Sequence, residues 1–140
     1  MGLIDTKKIG NKKESPSVDE WLKAAKADAN ASEVGMYITH NGVVRESARS
    51  KVRDGESDTK PVAGMEFSYD KEGVEAAIAE TLNMDGIFYV RVWLNEGTLE
   101  LGDDIMYVLI GADIRPNAIE ALTTLVGNIK NKYVTEKELY

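Results

Sequence analysis

The sequence predicts a single α+β domain in which helices pack against an antiparallel or mixed sheet. Two observations carry that expectation. At 140 residues the chain has the length of one domain and can bury a core without disulfides or metals. Helical and strand periodicities then follow in the order α-β-loop-β-α-β-β-β-α, and the short connections between the later strands suit antiparallel pairing with helices laid on the sheet. The domain is expected over residues 17–140, preceded by a flexible segment, 1–16.

Each element has its own local warrant. Residues 1–16 are polar and Lys-rich and end in Ser15-Pro16, the composition of a lead-in rather than of a core element. Ser17 and Glu20 have capping-box spacing, which starts a helix carrying Val18, Leu22, Ala25 and Ala29 on one face, with Trp21 beside them. The segment EVGMYITH, residues 33–40, is β-prone, and Asn41-Gly42 signals a turn or bulge before Val43-Val44-Arg45. From Arg45 to Lys60 the chain is charged, Ser-rich and without apolar periodicity, which reads as a mobile loop.

Order resumes at Pro61, where VAGMEFSY reads as a strand. Asp70 can cap a helix with Val74, Ala77, Ile78 and Leu82 as its apolar stripe, and Met84-Asp85-Gly86 closes it. Between Ile87 and Leu94 the residues Phe88, Val90, Val92 and Leu94 alternate with Tyr89, Arg91 and Trp93, the pattern of a half-buried strand. The short piece TLEL lies between Gly97 and Gly102, and Ile105–Ile110 is apolar on both faces, as a central strand requires. Pro116 marks the first turn of the last helix, whose stripe is Ile119, Leu122, Val126 and Ile129.

Composition removes several kinds of chemistry. The chain has no Cys and one His, so thiol nucleophiles, redox pairs and multi-His metal sites are absent from the expectation. With 17 Lys plus Arg against 24 Asp plus Glu, its net charge of −7 argues against a general nucleic-acid binder. No stretch approaches the roughly 20 apolar residues that cross a bilayer, and MGLIDTKKIGNKK lacks a signal-peptide core. A soluble cytoplasmic protein is the resulting expectation.

Arg, Lys, carboxylates and His40 remain as candidate chemical groups. Arg45, Arg49, Lys51 and Arg53 fall in or beside the loop, and Arg115, Lys130, Lys132 and Lys137 lie on or after the final helix. Grouped together, such cations form a pocket for a small anion such as a phosphate ester; left apart, they are solvated charges or complements to a helix C-terminus. On a helical wheel Arg115 lies on the side of Ile119, Leu122 and Val126, and Lys130 on its shoulder. On one straight helix they are 15 positions, hence about 22 Å, apart, so a shared site needs Arg115 from one chain and Lys130 from another. A homodimer is the consequence. His40 is read either as a general base or as an ordinary half-buried side chain, and Asp103-Asp104 as a solvated turn.

These residues also carry a resemblance. GMYITHNGVVR, Gly35–Arg45, resembles a G-x-x-x-T-F-x-G-x-V-R segment of the MoaE family, the large, catalytic subunits of molybdopterin synthase. EGTLELGDDIMYVLIGADIR, Glu96–Arg115, resembles that family's G-x-L-x-x-G-D strand pair and the Ala-x-His-Arg corner after it, and Lys130 and Lys137 keep the spacing of its two lysines. The chain departs from the pattern at His40 in place of Phe, at Leu94-Asn95 in place of His-Arg, at Ile114 in place of His, and at Val134-Thr135-Glu136 in place of Pro-hydrophobic-Trp.

The resemblance implies an α/β-hammerhead-like fold and a sulfurtransferase. Such an enzyme moves sulfur from a small ubiquitin-like carrier, ending in a Gly-Gly thiocarboxylate, to cyclic pyranopterin monophosphate in molybdenum cofactor biosynthesis. It implies two copies of each subunit in a heterotetramer and neither a metal nor a cofactor of its own. By carry-over Lys130 and Lys137 are the catalytic pair, Lys130 as acid/base or as transient amine partner of the acyl group. Arg45, Arg115, Val44 and Glu138 become substrate-binding residues. The other reading is a divergent relative that keeps fold and dimer but serves as a binding or regulatory module.

Overall fold

In the computed structural model, residues 2–5, 8–9, 12–46 and 62–140 are described, with side chains from Lys13 onward. The predicted loop therefore enters only at its two ends, and Arg49, Lys51 and Arg53 lie outside the described residues.

Helix α1 (Val18–Lys26) starts where the capping box places it: Ser17 Oγ accepts a hydrogen bond from the Glu20 amide at 3.3 Å. Strand β4 (Met36–Val43) runs through Asn41-Gly42, with a register shift between Gly42 and Val43, so the signal there is a bulge and not a hairpin. After β5 (Gly64–Tyr69) comes α2 (Lys71–Leu82), then β6 (Ile87–Leu94), β7 (Gly97–Glu100) and β8 (Asp104–Ala112). Helix α3 (Arg115–Asn128) has Pro in its first turn, and its last bonds widen into a π turn over Ile129–Tyr133. Strand β9 (Val134–Leu139) follows directly.

Three short strands precede α1: β1 (Gly2–Asp5), β2 (Lys8–Ile9) and β3 (Lys12–Lys13). The lead-in expected from composition thus contains paired backbone, with β1 parallel to β6 and β2 antiparallel to β3. Lys13 is buried: its amide donates to Asn95 Oδ1 at 3.1 Å, and its Nζ donates to Tyr69 Oη at 3.0 Å and to the Leu94 carbonyl. A lysine so enclosed is invisible to a composition argument, because its partners are more than 50 positions away.

The main sheet has the order β1-β6-β8-β4, with β8 central as predicted and antiparallel to both neighbours. A second sheet has the order β7-β5-β9, all antiparallel. The result is the expected single α+β domain with helices on sheets. Period-two alternation on β6 and β8 makes two faces. Val90, Val92, Leu94, Val108 and Ile110 join the large core with α2, α3 and the second sheet, while Tyr89, Trp93 and Leu109 meet Trp21 and Ala25 of α1.

That second cluster corrects one expectation. Strand β6 is buried on both faces, because α1 covers the side that the sequence left to solvent. A second correction concerns α3. Its core-facing residues are Ala118, Ala121, Leu125 and Ile129, whereas Ile119 is 49% exposed and Leu122 and Val126 are only half-buried. Ala118 and Ala121 thus face the core with Leu125 and the predicted Ile129, and the rest of the expected stripe ends up on the shoulder.

Candidate functional site

The site is built where five segments converge between the two larger sheets. The bulge in β4 delivers Val44 into the core, 3% exposed, and carries Arg45 out to the surface beyond it. Backbone bonds fix this corner: the Val44 amide donates to Asp103 O at 3.0 Å, and Gly102, at φ +83°, donates to Val44 O at 2.8 Å. The chain then returns beside itself, since the Val62 amide donates to Glu46 O at 2.7 Å. Both ends of the 47–61 segment therefore meet at this corner.

From the opposite side, the π turn presents Lys130. Ile129 is fully buried and anchors the turn, which leaves Lys130 half-buried at its edge. Strand β9 next places its residues by alternation: Met65 pairs with Glu138, Glu66 with Lys137 and Phe67 with Glu136. Glu136 and Glu138 consequently line the same cleft, while Lys137 is exposed and does not line it.

The resulting cleft has a cavity volume of about 330 Å³, a size suited to a small ligand. Arg45, Lys130, Glu136, Glu138 and His40 supply its polar wall, and Val43, Val44, Val62, Met65 and Ile105 its apolar wall. Among the described residues, two cations and two carboxylates line the cleft, so Glu136 and Glu138 stand beside the cations that the Lys and Arg distribution suggests. Burial pushes the His40 imidazole below its ordinary value, and the Lys130 ammonium lowers it further. At neutral pH the imidazole is therefore mainly uncharged, with one nitrogen donating and the other accepting.

Of the residues singled out in the sequence, Arg45, Val44, Lys130 and Glu138 share this cleft. Arg115 does not: it is exposed at the start of α3, the end opposite the π turn. Lys137 lies on β9 and is turned away from the cleft by strand alternation. Glu136 was missed because VTEKEL carries no apolar alternation, so only pairing with β5 makes it a strand. Among the described residues, no group of three or more His, Cys, Asp and Glu side chains gathers into a metal site, and no helix is long and apolar enough to cross a membrane.

Fold and cleft together define a class: a small α+β protein with a cleft of one polar and one apolar wall where its two larger sheets meet. The chain belongs to the MoaE family, whose model, described as MoaE protein, matches residues 12–132. Solved structures share the fold at low identity. Molybdopterin cofactor biosynthesis protein E from Burkholderia multivorans aligns with TM-score 0.69 at 17% identity over 99% of this chain and 81% of its own. Molybdopterin synthase from Staphylococcus aureus aligns with TM-score 0.62 at 16% identity over 77% of this chain and 76% of its own. A chain in the complex of subunits 1 and 2 of molybdopterin-converting factor from Helicobacter pylori aligns with TM-score 0.60 at 18% identity, covering 89% and 84%. No curated protein matches the sequence.

Proposed function

We propose that this protein acts in molybdenum cofactor biosynthesis as the catalytic subunit of molybdopterin synthase. It takes sulfur from a thiocarboxylated small ubiquitin-like subunit and delivers it to cyclic pyranopterin monophosphate. The observation that carries this reading is the convergence of Arg45 and Lys130 in one cleft of a MoaE-family fold. A guanidinium suits phosphate geometry, and an amine beside it can shuttle a proton or hold an acyl carbon transiently. In each transfer the sulfur leaves the carrier's acyl carbon for the pterin side chain, and water supplies the oxygen with which the tail departs as a carboxylate. The absence of Cys fits a reaction whose sulfur arrives on a partner.

Arg115 enters this proposal from a second copy of the chain. Ile114 and Ile119, 56% and 49% exposed, flank it as an apolar surface, and β4 is the outer strand of the main sheet among the described residues. Lys137, outside the cleft of its own chain, is free in this scheme to meet the incoming tail of the carrier. Its outward placement also favours the second reading, a module that binds the carrier without turnover.

The test is a reconstituted sulfur-transfer assay with mass detection of the dithiolene product. Wild-type protein with thiocarboxylated carrier is expected to convert the pterin, and Lys130→Ala to lose conversion while keeping its urea midpoint. An unchanged rate in Lys130→Ala overturns the assignment of that lysine. Carrier binding without any wild-type turnover establishes the module instead.

A further inference from the structure

The chain's one histidine lies in the cleft, and the mechanism above does not use it. His40 reaches the site through strand geometry. It stands two positions before Gly42 on β4 and so on the same face, and a Cβ at Gly42 would sit 3.9 Å from His40 Nε2. The imidazole thus lies along the bulged end of the strand with only a hydrogen where the next side chain on that face would be. It is half-buried and close enough to Lys130 to be affected by its charge.

We propose that His40 is a ligand-contacting arm of this cleft, holding an anionic oxygen together with Lys130 and making dianion affinity rise on acidification. The inference rests on the reading of the cleft as the phosphate-ester site. Near neutral pH the uncharged ring offers one N–H to the anion. Below that, protonation adds a positive charge beside Lys130, which is unfavourable in the empty cleft but favourable once a dianion lies between the two. Among the described residues, the charged groups that line the cleft with His40 are Arg45 from the segment after β4, Lys130 from the π turn, and Glu136 and Glu138 from β9. Burial and the Lys130 ammonium hold the imidazole below its ordinary value, so the response is followed from about pH 8 down to about pH 5.5, and His40→Phe isolates the histidine's share of it.

Sulfate is the probe, because it stays a dianion over this range and leaves the protein as the source of any pH dependence. Binding is followed calorimetrically in wild type, His40→Gln, His40→Phe and Lys130→Ala. The imidazole resonance, unique in this chain, is titrated by proton NMR in the same proteins that retain it. Wild-type affinity is expected to rise about tenfold from the alkaline to the acidic end, the scale of a dianion about 6 Å from one positive charge in water-like surroundings.

His40→Gln keeps a donor and should bind at the alkaline end nearly as wild type does, with a flat pH profile. His40→Phe should be weaker at both ends and equally flat. Lys130→Ala should raise the imidazole titration midpoint without sulfate, as expected of neighbours, and saturating sulfate should raise it in wild type, a readout that a histidine remote from the bound anion does not move. A wild-type slope that persists in His40→Phe, or a midpoint indifferent to sulfate, overturns the role of His40 while leaving the cleft reading intact. Sulfate affinity unaffected by Lys130→Ala overturns the cleft reading itself.

Discussion

The packing of α2 against the π turn yields a prediction with opposing terms that can be separated. Gly73 lies in the first turn and a half of α2 and faces Tyr133, the last residue of the π turn. A Cβ at position 73 would overlap Tyr133 Cδ1 and stand 2.5 Å from its Cε1 and 2.8 Å from its Cγ, so the ring must retreat by about 1.5 Å to restore van der Waals contact. It cannot do so freely, because the ring packs on the core and the Asp70 amide donates to Tyr133 O at 2.8 Å. Overpacking of this kind costs about 1–3 kcal/mol, while replacing glycine by alanine inside a helix returns about 1 kcal/mol. Gly73→Ala should therefore destabilise the protein by up to about 2 kcal/mol despite its better helix propensity. In a Tyr133→Ala background the obstacle is gone, and the same change should stabilise by about 0.5–1 kcal/mol. Urea denaturation read as shifts in midpoint at constant m gives both values, and their difference is the coupling energy. A stabilising Gly73→Ala in the otherwise native protein, or additivity of the two changes, refutes the account of this contact.

Two further outcomes follow from the geometry. If Arg115 serves the partner's cleft, Arg115→Ala and Lys130→Ala should each be inactive alone, yet mixed and re-equilibrated they should recover up to about a quarter of wild-type turnover per site, as expected when half the dimers are mixed and each mixed dimer has one intact cleft. No recovery, together with a monomer in sedimentation, excludes a shared site. Gly86→Ala should cost about 1–3 kcal/mol, because Gly86 has φ +73° and a Cβ there would stand 2.6 Å from Asp113 Cγ. Asp113 cannot yield cheaply, since its Oδ1 accepts from the Ile114 amide at 2.6 Å and from Asn117 Nδ2 at 2.9 Å, and a thermal midpoint unchanged by Gly86→Ala contradicts this.

What was legible in the sequence is what local physics controls. The capping box of α1, the proline start of α3, the bulge at Asn41-Gly42 and the doubly apolar β8 are each fixed by residues within a few positions of one another. The absence of Cys and the single His, which narrow the chemistry to Lys, Arg and one imidazole, are likewise sequence facts. The resemblance to the MoaE family rests on short motifs of the same local kind, and the family match over residues 12–132 bears it out.

What the tertiary structure alone decided is which face of each element meets which neighbour. Trp93 and Tyr89 look like the wet side of β6 until α1 is laid over them, and Ile119 looks like core until the alanines of α3 are seen against the sheet. Lys137 and Glu136 exchange places for the same reason: β9 is a strand only because β5 pairs with it, and that pairing settles which side chains turn into the cleft. Periodicity specifies that an element has two faces, but burial is a property of pairs of elements. The cleft that gathers Arg45, Lys130, Glu138 and His40 from segments as far as 98 positions apart could be assembled only by the folded chain.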